Sequence, residues 1–240
     1  MHRSLTCSDD GGPLGEACVG LRALNLDYPR MYAVASMANE AKRRWWQLAV
    51  GIEQGRVERM ITRSLEDVKT PEVAAIQVAS AVIHAIVGRV VALLVLQGRA
   101  WDPGIDNLWI HMDSDGGIDW AGLTSPVLRV LPGDNLDGAS GTVTLPCEEA
   151  LLIWTAHRCI TSLDVVARAI AECAPLDPRV FCSLVGDAVL GASTHVPTLS
   201  RSFGVRSARR GQDLLDAFVA AGVPVRSRPA SMGRLRLRAL

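Results

Sequence analysis

At 240 residues and 49% hydrophobic content, the chain is long enough for one large domain or two small ones, and it can bury a sizeable core. Its 25 basic side chains are balanced by 25 acidic ones, which argues against a dedicated nucleic-acid binder while leaving room for a local basic patch. Aromatics are few and skewed, with Trp 6 against Tyr 2 and Phe 3, so Leu, Val, Ile and Ala must fill most of the core.

Residues 1–27, rich in Gly, Ser and Asp, are expected to be loosely ordered, and 28–240 to form a single helix-rich domain. The opening MHRSLTCSDDGGPLGEAC has no continuous apolar stretch before its acidic and glycine-rich part, so a signal peptide is not expected. From Tyr28 to Gln54, Met31, Val34, Ala35, Ala38, Trp45, Leu48 and Ala49 recur at helical steps, predicting a helix closed by Gly55. Residues 56–69 read as a short helix or a loop.

Thr70-Pro71-Glu72 combines a cap candidate, a first-turn proline and an acid at the positive end of the dipole. The helix it opens should run to Gln97 and end at Gly98. Residues 73–96 have the length of a membrane span. Gln77, Ser80, His84 and Arg89 interrupt the run, and an arginine in lipid is costly, so a buried helix is expected and no membrane span. NLWIHM and GIDWAGL flank DSDGG, the pattern of a hairpin. With PVLRVL and GTVTL they predict a small antiparallel β insertion at about 105–145.

Pro146, Glu148 and Glu149 open a long helix to Ala174; Asp177-Pro178 caps the next, expected to stop before Pro197. A further helix is expected over 207–221. The tail VPVRSRPASMGRLRLRAL alternates Arg and Leu, predicting a C-terminal strand. The fold class is therefore α+β, mainly helical.

In the segment LVGDAVLGASTHVP, a helical wheel puts Phe181, Leu184, Val185, Ala188, Val189 and Ala192 on one stripe, with Asp187 away from it beside Ser183 and Thr194. Asp187 is expected at water or capping a neighbour, or alternatively on a cleft wall. Gly186 and Gly191 flank that polar side and would admit another backbone. His195 near the helix end suits the dipole. His157 is expected to be buried and hydrogen-bonded, and His84 to be a satisfied core residue or a polar contact between helices.

Cys7, Cys18, Cys147, Cys159, Cys173 and Cys182 contain no Cys-x-x-Cys pair, which predicts a reducing, cytoplasmic setting over a disulfide framework. Cys159, Cys173 and Cys182, with His157 or His195, could meet across two helices and hold a soft metal, although free cysteines are commonly just buried. Nucleotide-loop, serine-hydrolase and zinc-protease motifs are absent.

Over residues 75–222, QVASAVIHAIVGRVVALLVLQG, WIHMDSDGGIDW, ALLIWTAHRCITSL and RVFCSLVGDAVLGASTHV resemble, in order and character, the ferric iron reductase FhuF-like family of siderophore-iron utilisation. The resemblance implies a C-terminal [2Fe-2S] cluster held by two adjacent cysteines and a later Cys-x-x-Cys. In this sequence VRSRPASMGRLRLRAL stands there, and arginine cannot replace thiolate. The implied protein is thus a scaffold binding a ferric siderophore or a protein partner without a resident cofactor.

Its ligand contacts are expected from Arg226, Arg228, Arg234 and Arg236, with Asp187 and His195, since guanidinium suits carboxylate and catecholate oxygens. Arg206, Arg209, Arg210 and Arg238 would extend that basic set, which could equally be a solvated edge strand. Two alternatives stay open. One is an active reductase whose [2Fe-2S] cluster is held by Cys159, Cys173 and Cys182. The other is a non-enzymatic interaction or regulatory module using the basic tail, with nucleic acid the less expected partner.

Overall fold

The helix start at Thr70-Pro71-Glu72 produces the centre of the fold. Helices α4 (Pro71–Ile83) and α5 (Arg89–Gln97) are joined without a break by a π-helical turn, His84–Gly88. The rod ends at Gly98, whose φ of 71° only glycine adopts freely. A computed structural model describes residues 12–37, 44–201 and 205–226.

The apolar run expected to be buried is buried. Val90, Val91, Leu93, Leu94 and Val95 have no exposed surface, and 83% of the most apolar window of Pro71–Gln97 lies inside protein. Encasing it are α1 (Pro13–Ala23), α3 (Arg56–Val68), α6 (Glu148–Cys173), α7 (Pro178–Leu199) and α8 (Val205–Ala220). By length and composition alone, α6 and α7 are also apolar enough to cross a membrane, though their windows are only 44% and 39% buried. The long rod is therefore the internal member of the three.

Several expectations need correction. Within the segment expected to be loosely ordered, α1 is a helix that seats Leu14, Ala17, Cys18 and Leu21 in the core, and the side chain of Gln97 donates to the Ala17 carbonyl at 2.9 Å. The single helix expected over 28–54 is replaced, among the described residues, by β1 (Val34–Ser36), β2 (Trp45–Gln47) and a short α2 (Leu48–Glu53). Its β-branched and tryptophan residues pair with neighbouring strands, and that tertiary pairing overrides the helical spacing. Residues 56–68, left open between helix and loop, are α3. Helix α7 runs through Pro197 to Leu199. A proline there, in the last turn, forfeits few backbone bonds, and the Thr198 hydroxyl serves the Thr194 carbonyl at 2.8 Å.

The hairpin forms as read, from β4 (Leu108–Met112) and β5 (Ile118–Leu123) around the DSDGG loop. It sits in a four-stranded sheet of order β1-β5-β4-β2, in which β1 runs parallel to β5. A second sheet, β3 (Ala100–Trp101), β6 (Leu128–Val130) and β7 (Thr142–Thr144), pairs β6 and β7 in parallel. The insertion is thus mixed, and not purely antiparallel as expected. Side-chain alternation sends Leu108, Ile110, Ala121 and Leu123 into the main core, while Ala35, Met37, Trp45 and Trp120 form a separate cluster with Trp109 packed against it. The result is an α+β, mainly helical, helix-dominated domain with small sheets. The expected C-terminal strand lies outside the described residues.

Candidate functional site

Of the sequence-predicted ligand set, the structure describes Asp187, His195 and Arg226. Asp187 and His195 are both exposed on α7, two turns apart, and line none of the cavities described here. Arg226 is paired with Asp216 at 2.6 Å and also reaches Gln212. Arg228, Arg234, Arg236 and Arg238 lie outside the described residues. Upstream, Arg206 and Arg210 both bind Glu148, and Arg209 binds Asp213, so the basic cluster is already matched by acids.

Nor are Cys159, Cys173 and Cys182 gathered as a ligand group among the described residues. Cys159 is buried in the core, where desolvation pushes its thiol pKa well up, and nearby Asp102 adds to the rise. Cys173 is exposed and Cys182 half-buried, each with its thiol pKa raised. Among the described residues no three His, Cys, Asp or Glu side chains converge to hold a metal. His157, expected to be buried, is exposed on α6. Its neighbour Arg158 forms a bidentate pair with Asp102, at 2.7 and 3.1 Å.

A different constellation does converge, between the π turn, the 27–31 loop and the hairpin. Two local irregularities build it. The first is the π turn. In a regular α-helix, residues five apart point about 140° away from each other. Bonding five residues ahead stacks them, so His84 and Arg89 come to one side. Gly88 makes room for the imidazole, since a Cβ there would stand 2.5 Å from His84 Nδ1. The second is a β-bulge. His111 pairs with Trp120 and Met112 with Ile118, leaving Asp119 as the extra residue of β5, and a bulge of this kind re-aims a side chain.

Asp119 Oδ1 lies 2.6 Å from His111 Nδ1 and its Oδ2 accepts from Arg30 at 3.2 Å. The Arg30 guanidinium also lies 4.3 Å from the centre of the Trp120 ring, a cation–π arrangement. Trp45 closes the cluster, 5.1 Å from the His111 ring and 5.4 Å from that of Trp120.

Deeper in, Arg89 is only 2% exposed. It donates to the backbone carbonyls of Arg30, Ala33 (2.8 Å) and Asp119 (3.2 Å), tying the segment that leads into β1 and the hairpin to the central helix. Its Nε has no acceptor among the described residues. Burial lowers its pKa to about 10, against the opposing pull of Asp119 and Cys18, so it remains a cation at neutral pH.

His84 Nε2 is 3.0 Å from the Met31 carbonyl, which can only accept, so Nε2 carries the proton. Desolvation, then the Arg89 charge, lower its pKa, and the bond to Met31 opposes them. Together with Tyr28, Asp113 and Ile118, the Arg30, His84, Arg89 and Asp119 side chains line a cleft of about 530 Å³. That is a small-molecule volume.

Two other cavities are less equipped. The groove of about 670 Å³ between α6 and α8 carries the paired Glu148, Arg206, Arg209 and Asp213. The one of about 360 Å³ between α6 and α7 is mostly apolar. In the sequence both His84 and Arg89 stand out as interruptions of an apolar helix, with His84 expected as a satisfied core residue or a polar contact between helices. Their five-residue spacing across Gly88 was the available signal. No protein-family model matches the chain, and no curated protein and no solved structure matches it either.

Proposed function

We propose that the chain is a non-redox binding protein of siderophore-iron utilisation, holding a ferric siderophore in the cleft between the π turn and the hairpin. The observation that carries this reading is the cleft itself, with Arg30, His84, Arg89 and Asp119 converging on a small-molecule volume. The resemblance to FhuF-like proteins supplies the ligand class. Where that resemblance places thiolates, the sequence has Arg226, Arg228, Arg234 and Arg236. In this reading the protein is cytoplasmic and the central helix is its packed core, 83% of its most apolar window being buried inside the protein.

The test is a titration with ferric catecholate and ferric hydroxamate complexes, followed by tryptophan fluorescence, since Trp120 adjoins Arg30 and Trp45 adjoins Trp120. Saturable quenching is expected, with no iron or sulfide in the purified protein. Absence of any response to either complex overturns the binding reading. Bound iron and sulfide would move the assignment to the reductase alternative, which the burial of Cys159 disfavours.

A further inference from the structure

We infer that the cleft recognises its ligand through an oxyanion, a planar carboxylate-type group held between Arg30 and the floor formed by Arg89. The inference rests on the cleft being the binding site proposed above, and it adds the chemistry of the group bound there.

The lining holds Asp27, Asp113 and Asp119 against Arg30 and Arg89, so the support comes from where each charge is engaged and not from their sum. Of the acids in the lining, Asp119 has both oxygens engaged, one by His111 and one by Arg30. Asp113 Oδ1 accepts backbone N–H bonds from Asp115 and Gly117, which fold the hairpin loop. Asp27 is exposed at the rim, where water screens it. His84 has committed its proton to Met31 and presents no charge at neutral pH.

Arg89 differs from all of these. Its hydrogen bonds go to neutral carbonyls, and among the described residues no carboxylate contacts it, the Asp119 charge acting on it only from a distance. A buried cation without a contacting anion is costly, and a ligand oxyanion is the group that would offset the cost. Arg30 supplies a second cation that is only partly enclosed, with side-chain exposure of 32%. A guanidinium carries five N–H donors in a fork matched to two oxygens, and the contact to Asp119 uses one of its nitrogens. The Trp120 ring lies against that fork. An accessible guanidinium fork at Arg30, with the buried Arg89 charge beneath it, favours a two-oxygen anion over a neutral isostere.

The probe is sodium benzoate, compared with neutral benzamide, by calorimetry and tryptophan fluorescence at low ionic strength. Benzoate should bind at least tenfold more tightly than benzamide. Arg30→Gln should weaken benzoate at least tenfold, in line with loss of a charge-assisted bond, and Arg30→Lys should restore part of it. Melting curves check that each variant is folded; Arg30 is partly exposed, so folding should survive. Equal binding of benzoate and benzamide, no benzoate binding at millimolar concentration, or indifference to Arg30→Gln would each overturn the inference. So would tight binding of calcium chloride that Asp119→Asn abolishes, because the cleft would then be a cation site. Ferric-complex titrations on the same variants separate the two readings. Binding of the ferric complex that ignores Arg30→Gln sinks the oxyanion and spares the function. Benzoate binding that depends on Arg30, with no ferric complex bound, does the reverse.

Discussion

Two glycines of α7, five residues apart, should respond to the same substitution with opposite signs. Gly191 has open space where a Cβ would stand, and Gly186 does not: its Cβ would lie 2.0 Å from the backbone oxygen of Val225. Both sit inside a helix and neither has positive φ, so alanine gains about 1 kcal/mol of helix propensity at each site. For Gly191→Ala that gain stands alone. At this chain length it should raise Tm by roughly 2–4 °C.

For Gly186→Ala, a carbon and an oxygen need about 3.3 Å or more, so α7 and the 223–226 segment must separate by over ~1 Å. The obstacle is main chain and cannot rotate away. Val225 is 4% exposed and its N–H is bonded to Val223, so moving it sacrifices packing. Overpacking of this kind costs about 1–3 kcal/mol, which outweighs the propensity gain. The two variants should therefore differ by about 2 kcal/mol in chemical denaturation. Equal stabilisation by both would mean that the 223–226 segment does not lie against α7, and the packing account of LVGDAVLGASTHVP would fail.

Other expectations concern titration and thiol access. The Asp134 carboxylate, bound to Arg99 by two nitrogens at 2.8 and 2.9 Å, has a lowered pKa: desolvation raises it, but the Arg99 and Leu136 hydrogen bonds and the Arg99 charge together prevail. A depressed carboxylate stabilises above its unfolded pKa of about 4 and loses that contribution as pH falls through the folded value. Urea unfolding between pH 6 and pH 3 should therefore show a shallower acid loss in Asp134→Asn, and an unchanged slope would refute the pairing. His84 has a lowered pKa from desolvation and then Arg89, so below about pH 6.5 the unfolded chain takes up the proton first and stability falls with acidification. His84→Gln should flatten the profile between pH 7.5 and pH 5.5, and a steeper one would contradict the burial of the ring. Thiol labelling of the native protein followed by mass mapping should modify Cys147 and Cys173 and spare Cys159 until denaturant is added, as their exposures require; early loss of the Cys159 thiol would place it elsewhere.

What was legible in the sequence follows the strength of local chemistry. Pro71 with Glu72, the acids after Pro146, Asp177 before Pro178 and the DSDGG turn each fix an element by backbone rules alone, and each element is present. The Asp177 carboxylate caps α7 by accepting from the Arg179 N–H at 2.7 Å. Residues 28–54 went the other way because β1 is defined by a partner 87 positions along, Val34 against Ala121, which periodicity cannot register. Helix α1 was missed for an opposite reason. Leu14, Ala17, Cys18 and Leu21 have helical spacing, but it is confined to three turns beside a glycine- and aspartate-rich start.

The cleft was hidden by the assumption of regularity itself. On an ideal wheel His84 and Arg89 diverge, and in an ideal hairpin Asp119 points away from the face its neighbours His111 and Trp120 share. One extra residue in the helix and one in β5 cancel those divergences and aim both pairs at the same space. Such insertions weaken the elements that carry them, and here they coincide with a buried guanidinium spanning three chain segments. Irregularity in two separate elements converging on one cavity is hard to account for by packing alone, because a regular helix against a regular hairpin would fill the same volume with apolar side chains. Straightening either element should therefore erase the cleft's chemistry while preserving the core. Gly88→Ala, which drives the His84 ring from its place, is the mildest substitution that separates the two.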